Sequence, residues 1–142
     1  MYSISVSSSV SHDYLDLLLD GLTSYNANAT GHHDGKDLVV SVQRDGKAVG
    51  GCYAWTWAGI CNVVFLHIPE DTRRQGIGKA VMTALEAEAR LRACHEIVLW
   101  TYSFQAPKFY EKLGFEITHT FNDHPPGHQQ HFLRKRLAEC SR

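Results

Sequence analysis

The spacing of apolar residues in the first quarter of the chain is typical of an amphipathic helix. Leucines recur there at intervals of three and four residues, which places them on one helix face. They are Leu15, Leu18, Leu19 and Leu22. Ser11 precedes them and is a residue type that caps helix N-termini. We therefore predict a helix from about Ser11, with the four leucines as its buried stripe.

The segments on either side of this helix have other patterns. Tyr2, Ile4 and Val6 alternate with serines, and a period of two predicts a short strand. Residues 25–35 are rich in Asn, Gly, His and Asp, which indicates a loop or a frayed second helix. This segment is a candidate lid over a substrate.

Three strands are predicted next. Residues 37–44 and 48–57 flank the turn-forming pair Asp45-Gly46, which indicates a hairpin. Residues 61–68 form the third strand, which ends before Pro69. Helical spacing returns from Gly76 to about residue 93, where it predicts an amphipathic helix.

The remaining residues alternate between the two kinds of element. Residues 96–102 form a continuous apolar run of the buried-strand kind. A short helix over residues 106–113 stops at Gly114, and two final strands lie within residues 115–137. This order predicts an α+β or α/β fold, with a sheet that carries helices on its faces.

Composition sets limits on the function. With 142 residues, of which 44% are hydrophobic, the chain has the size of a single domain, residues 1–142. A net charge of −1 gives no overall field that would recruit nucleic acid or an anionic membrane. No apolar run is long enough to span a bilayer and the N-terminus lacks an export signal, so we expect a cytoplasmic protein.

The cysteines agree with that expectation. Cys52, Cys61, Cys94 and Cys140 are widely spaced and form no CxxC pair. We expect free thiols in a reducing compartment. The neighbouring histidines His32 and His33 lack a third ligand at a suitable spacing, so no metal site is predicted.

A basic glycine-containing loop joins the third strand to the second helix. Free backbone amides at a helix N-terminus bind anions. We expect Gly76 and Gly78 to remove side chains that would block a phosphate, while Arg73, Arg74 and Lys79 supply positive charge. The loop therefore suits a pyrophosphate.

Two common phosphate-binding motifs do not fit this loop. A P-loop requires Ser or Thr after the lysine, but Ala80 follows Lys79. A dinucleotide fingerprint requires a third glycine near Val81, and none is present there. An ordinary turn stays open on these residues alone.

Two motifs together resemble the GCN5-related N-acetyltransferase superfamily. The segment Arg73-Arg74-Gln75-Gly76-Ile77-Gly78 is similar to its pattern Q/R-x-x-G-x-G/A. Ala106, Tyr110, Gly114 and Phe115 match its downstream motif, whereas Ser103 stands where Asn is common. The resemblance covers about residues 63–137.

The resemblance implies a fold and a cosubstrate. The fold is a three-layer α+β arrangement with a mixed, mostly antiparallel sheet, and acetyl-CoA lies between two central strands. The backbone of the third strand's end would bind the pantetheine arm, and the loop amides would bind the pyrophosphate. The implied binding residues are Leu66, His67, Ile68, Arg73, Arg74, Gln75, Gly76, Ile77, Gly78, Lys79 and Ser103.

The resemblance also assigns catalytic roles. Tyr110 matches a tyrosine thought to protonate the leaving thiolate, and packing beside Phe109 is its alternative role. Asn62 occupies the position where some relatives have a glutamate base, and an amide cannot accept a proton at neutral pH. We expect Asn62 to position a water in a proton relay. His67, Glu70, Asp123 and His124 are alternative bases.

Two further questions stay open at this level. Transfer is expected to be direct, although Cys61 and Cys94 invite a two-step mechanism through a thiol nucleophile. The acceptor is expected to be the primary amine of a small molecule, with a peptide or protein amine, or a non-catalytic CoA-binding module, as alternatives. Many members of the superfamily form homodimers through a sheet edge or the C-terminal strands, and a free edge here would need covering.

Overall fold

The structure is a computed structural model that describes residues 1–137 of the chain. Cys140, which is predicted to be a free thiol, lies outside the described residues. The chain forms two compact units, one over Met1–His33 and the other from Asp34 onward.

The first unit contains helix α1, His12–Thr30. Ser11 caps it as predicted, since its hydroxyl accepts a hydrogen bond from the Tyr14 amide at 3.1 Å. Gly31 ends the helix in the left-handed conformation, with φ of 76°. No described residue within Met1–Val10 forms a strand, so the strand predicted there is wrong.

Two other predictions for this unit are corrected. The helix continues to Thr30, so the predicted loop is shorter than residues 25–35. No residue of α1 is buried, so the predicted buried leucine stripe is wrong as well. The unit contains no second helix or strand among its described residues, and a lone helix cannot bury an apolar face against itself.

The second unit contains a six-stranded sheet and two α-helices. The strands are β1 (Lys36–Arg44), β2 (Lys47–Trp57), β3 (Ile60–His67), β4 (Glu96–Tyr102), β5 (Glu116–Asn122) and β6 (Gln129–Arg136). The helices are α2 (Ile77–Leu91) and α3 (Pro107–Lys112), and a 3-10 turn spans Glu70–Thr72. Each strand predicted in this unit is present to within two residues.

The sheet is mixed and mostly antiparallel. Its strand order is β1-β2-β3-β4-β6-β5, and only β3 and β4 are parallel neighbours. A parallel pair needs a crossover connection, and α2 provides it. The sheet with its flanking helices confirms the predicted fold class.

The β1–β2 turn has the predicted geometry. Asp45 and Gly46 have φ of 52° and 77°. Positive φ at both central residues is the requirement of a type I′ turn, which Asp-Gly favours. The hairpin signal in the sequence therefore reflects backbone conformation directly.

The core of this unit lies between α2, α3 and one sheet face. Helix α2 buries its apolar stripe, Val81, Met82, Leu85 and Ala89. The buried strand residues include Leu38, Cys52, Ala54, Cys61, Val63, Ile97, Leu99 and Leu133. Burial of this area is the main favourable term in folding and holds the start of α2 beside the end of β3.

Candidate active site

Strands β3 and β4 separate along their length. They pair only from Ile60–Asn62 to Glu96–Val98, although β3 continues to His67 and β4 to Tyr102. Beyond Asn62 and Val98 the facing edges of the two strands are not paired with each other. Apart from the amide and carbonyl of Tyr102, which bond to Gln105, main-chain groups along this gap, called here the β3–β4 opening, are available for a ligand.

A bulge and a glycine shape the β3 side of the opening. Tyr53 pairs with Phe65 and Ala54 with Val63, so Val64 is the extra residue of a bulge. A Cβ on Gly50 would lie 2.5 Å from the His67 carbonyl oxygen. The end of β3 therefore lies against β2 at a distance that only glycine permits.

The three predicted arm-binding residues lie at this end of β3. Leu66 packs against the core from a half-buried position, and His67 is exposed as the last residue of the strand. Ile68 follows and also packs on the core. Their main chain adjoins the opening, as the sequence-based assignment requires.

The loop after β3 is fixed by hydrogen bonds to its own backbone. The Thr72 hydroxyl donates to the Pro69 carbonyl at 2.8 Å, and Arg73 Nε donates to the Ile68 carbonyl at 3.2 Å. Gln75 Nε2 makes a long contact of 3.5 Å with the Asp71 carbonyl. These side chains hold the loop in its conformation, so Arg73 has a structural role.

Six consecutive backbone amides, just before and within the first turn of α2, have no hydrogen-bond acceptor in the described part of the chain. Arg74 and Gly76 have φ of 66° and 75°, and the helical ladder begins with the bond from the Ala80 amide to the Gly76 carbonyl. Among the described residues, none accepts a hydrogen bond from the amides of residues 74–79. Such a row of amides, reinforced by the helix dipole, is an anion site.

The two loop glycines also have backbone and packing reasons of their own. A Cβ on Gly76 would meet no protein atom within 4 Å, and its φ of 75° by itself favours glycine; the clearance that both glycines give a phosphate stays a prediction. A Cβ on Gly78 would lie 3.3 Å from Cζ of Phe109. Gly78 therefore lets α3 approach the first turn of α2.

Tyr110 lies on α3 and is 8% exposed. Its ring packs edge-on against Phe109 and Phe115, with centroids 5.1 and 5.8 Å away. Burial, with a smaller contribution from Cys52, raises the pKa of Tyr110 to about 12. The phenol is therefore protonated at neutral pH, which is the form that can donate a hydrogen bond.

Asn62 and Ser103 mark the two ends of the opening. Asn62 is exposed, lies between buried Cys61 and Val63, and is the last β3 residue paired with β4. The Ser103 hydroxyl oxygen accepts a hydrogen bond from the Gln129 amide at 2.9 Å. The Ser103 hydroxyl is thus bonded on the β6 side of β4, the edge away from β3.

The buried cysteines are not activated as nucleophiles. Cys52, Cys61 and Cys94 are free and buried. Burial raises the pKa of Cys52 to about 11 and that of Cys61 to about 12. Because the thiolate is the nucleophilic form, neither thiol is activated at neutral pH.

Comparison with known proteins agrees with this geometry. The model of the acetyltransferase (GNAT) family matches residues 5–115, which is more than half of the chain. The chain belongs to the GNAT family of acetyltransferases. It is 32% identical over 119 residues to an acetyltransferase of Agrobacterium fabrum, covering 83% of this chain and 87% of that protein.

A second relative and a solved structure extend the comparison. The blasticidin-S acetyltransferase of Streptomyces morookaense is 32% identical over 96 residues, covering 65% of this chain and 68% of that protein. A crystal structure of an acetyltransferase from Agrobacterium tumefaciens has a TM-score of 0.85 at 28% identity and covers 96% of this chain and 100% of its own. This GNAT protein is an acetyl-CoA-dependent acetyltransferase.

The residues present fit acetyl-CoA in two places. The free amides of residues 74–79 match a diphosphate, and the unpaired edges of the β3–β4 opening match the amide groups of a pantetheine arm. Arg74 and Lys79 form no ion pair within residues 1–137 that would neutralise them.

Several other features bear on the site. No group of His, Cys, Asp or Glu within residues 1–137 is arranged to hold a metal. Among the described helices, none is sufficiently long and apolar to cross a membrane.

Sequence reasoning missed Gly50 and Gln105, whose importance depends on contacts at the ends of strands. The Gly-Gly pair within a strand pattern was the available signal for Gly50.

Proposed function

We propose that this GNAT acetyltransferase transfers the acetyl group of acetyl-CoA directly to a primary amine of a small molecule. The observation that carries the proposal is an aromatic cluster beside the β3–β4 opening, formed by Trp100, Tyr102, Phe104, His124 and His128. The similarity to a blasticidin-S acetyltransferase supports the same class of acceptor.

The aromatic cluster joins the end of β4 to the β5–β6 loop. Tyr102 and Phe104 are stacked, with centroids 5.3 Å apart and planes at 5°. His124 lies 5.8 Å from Tyr102, and His128 lies 5.0 Å from Phe104. Trp100 contacts Tyr102 edge-on at 5.4 Å. Exposed ring faces suit a small acceptor with a flat or apolar part.

The β5–β6 loop is built to hold its histidines in place. The His124 amide donates to the His128 carbonyl at 3.0 Å, and the His128 amide donates to the Pro125 carbonyl at 2.8 Å. Asp123 Oδ1 accepts from the Gly127 amide at 2.8 Å. Asp123 therefore serves the loop, which weakens its case as a base.

Tyr110 is the proposed donor to the departing sulfur. With a pKa of about 12, the phenol is roughly 3 units less acidic than a thiol of ordinary pKa, and full proton transfer would cost on the order of 4 kcal/mol. Tyr110 therefore stabilises the developing thiolate by a hydrogen bond. Main-chain amides near Leu66–Ile68 polarise the carbonyl in the same step.

Two features favour direct transfer over a two-step mechanism. Burial raises the thiol pKa of Cys61 to about 12 and also raises that of Cys94, so neither of these two candidate nucleophiles is activated at physiological pH. We assign Asn62 the role of orienting a water that takes the proton of the amine, which is supported by its exposed position where β3 and β4 separate. Free buried thiols also suit a reducing, cytoplasmic setting.

The proposal is tested by comparing acceptors. Thiol release from acetyl-CoA is measured with small amines, including amines attached to planar rings, and with peptides. We expect the small amines to give the higher kcat/KM. A clear preference for peptides would contradict the proposal.

A matched pair of variants tests the role of the cluster. Phe104 and Phe121 are similarly exposed, at 55% and 50%, but Phe121 lies on β5 outside the cluster. Phe104→Ala is expected to raise the acceptor KM about tenfold with the acetyl-CoA KM unchanged, because stacked aromatic area is lost. Phe121→Ala should leave both constants unchanged. Equal effects of the two variants would exclude a role for the aromatic cluster in acceptor binding.

A further inference from the structure

The side chain of Gln105 folds back onto the end of β4. Gln105 Oε1 accepts hydrogen bonds from the Tyr102 amide at 2.8 Å and from the Thr101 hydroxyl at 3.0 Å. The Gln105 amide donates to the Tyr102 carbonyl at 2.9 Å. Three hydrogen bonds thus fix this residue against two consecutive strand residues.

The edge of β4 that Gln105 occupies follows from the ladder with β6. The Ser103 amide donates to the Gln129 carbonyl at 2.8 Å, so it points toward β6. In an antiparallel ladder the amides of successive residues point to opposite edges. The Tyr102 amide therefore points away from β6, toward β3. Gln105 Oε1 caps this amide, which places the carboxamide within the β3–β4 opening.

The orientation of the carboxamide is determined by its partners. A backbone N–H can only donate, so the atom that faces the Tyr102 amide must be the oxygen. Gln105 Nε2, which carries two N–H groups, consequently points away from Tyr102. None of residues 1–137 accepts a hydrogen bond from Nε2, and Gln105 is exposed. A pair of fixed donors thus faces the opening.

Ser103 leaves a need for such a donor. In the related motif an Asn commonly occupies this position, and its amide can donate and accept separately. Here the Ser103 hydroxyl is bonded to the Gln129 amide of β6, on the edge of β4 opposite the β3–β4 opening, so its donor lies away from the opening. We propose that Gln105 Nε2 donates a hydrogen bond to a carbonyl oxygen of the pantetheine arm of acetyl-CoA, and so supplies the contact that Ser103 does not provide. This rests on the arm lying in the β3–β4 opening.

The test separates the donor from the loop-fixing role. Gln105→Glu keeps an oxygen for Tyr102 and Thr101 and has the same shape, but it removes both N–H donors. Gln105→Leu removes the donors without adding charge. Binding of CoA and of 3′-phosphoadenosine 5′-diphosphate, a nucleotide that keeps the diphosphate but lacks the arm, is measured by calorimetry. Gln43→Glu, an exposed position on edge strand β1, controls for the added charge.

We expect both Gln105 variants to bind CoA about tenfold more weakly and 3′-phosphoadenosine 5′-diphosphate as wild type does, because one hydrogen bond to the arm is lost. The melting temperature of Gln105→Glu should equal that of wild type. Unchanged CoA binding in both variants, or equal weakening of both ligands, would overturn the proposal. Wild-type protein that binds CoA no more tightly than 3′-phosphoadenosine 5′-diphosphate would instead show that the arm makes no contact in the opening.

Discussion

The close approach of β2 to the end of β3 gives a sharp prediction for Gly50→Ala. The new Cβ would lie 2.5 Å from the His67 carbonyl oxygen and 2.8 Å from Cδ of Pro69. Carbon and oxygen make contact at roughly 3.3 Å, so the two strands must separate by about 0.8 Å. The obstacle is main chain and a proline ring, neither of which can rotate away.

The cost of Gly50→Ala combines overpacking with a weakened ladder. Overpacking of this kind costs about 1–3 kcal/mol and a lost backbone hydrogen bond about 1 kcal/mol. We expect a loss of about 2–4 kcal/mol in the free energy of unfolding and a fall of roughly 10 °C in Tm. Acetyl-CoA binding should weaken as well, since the displaced His67 adjoins the opening.

Gly21→Ala is the matched control. It makes the same chemical change within α1, where the new Cβ meets nothing within 4 Å. Alanine is the better helix former by about 0.5–1 kcal/mol, so this variant should be as stable as wild type or slightly more so. Urea unfolding of both variants is the measurement. If the free energy of unfolding of Gly50→Ala lies within about 0.5 kcal/mol of the wild-type value, the described close approach of Gly50 to His67 is wrong.

Three further predictions concern the site and its surroundings. Tyr110→Phe should lower kcat about 10- to 100-fold with little change in the acetyl-CoA KM; steady-state kinetics with an unchanged kcat would remove its donor role. Gly76→Ala should cost about 1–2 kcal/mol, since its φ of 75° disfavours a Cβ, and calorimetry should show weaker CoA binding. Burial raises the thiol pKa values of Cys52 and Cys61 to about 11 and 12, so the folded state holds these thiol protons more tightly than the unfolded state does. The contribution of these thiols to the free energy of unfolding is therefore complete below about pH 9 and is lost as pH rises toward the folded values. Denaturant unfolding from pH 8 to 11 should show this fall, with a shallower slope in Cys61→Ala, and equal slopes would refute the assignment.

Most of the sheet was predictable because its signals are local. Asp45-Gly46 encodes the type I′ turn, and the alternation on either side of it fixes the hairpin. The stripe Val81, Leu85 and Ala89 marks the buried face of α2 in the same way. By contrast, the alternation of Tyr2 with its neighbours is a pattern without a partner strand, and no strand forms there.

The site was predictable only in part. The loop over residues 73–78 was found because its residues match a family motif, and its free amides follow from helix geometry. The contact of Gly78 with Phe109 joins two helices that are distant in sequence. The contact of Gln105 with Tyr102 forms where the chain turns back on itself after β4. Such contacts have no periodicity, so spacing alone cannot reveal them.

A crystal structure of the protein with acetyl-CoA tests the central claim most directly. We predict the diphosphate within hydrogen-bonding distance of the amides of residues 74–79, and the pantetheine arm between β3 and β4 beyond Asn62 and Val98. The sulfur should then lie within reach of the Tyr110 hydroxyl. Acetyl-CoA bound outside the β3–β4 opening, or a diphosphate away from the start of α2, would contradict the account.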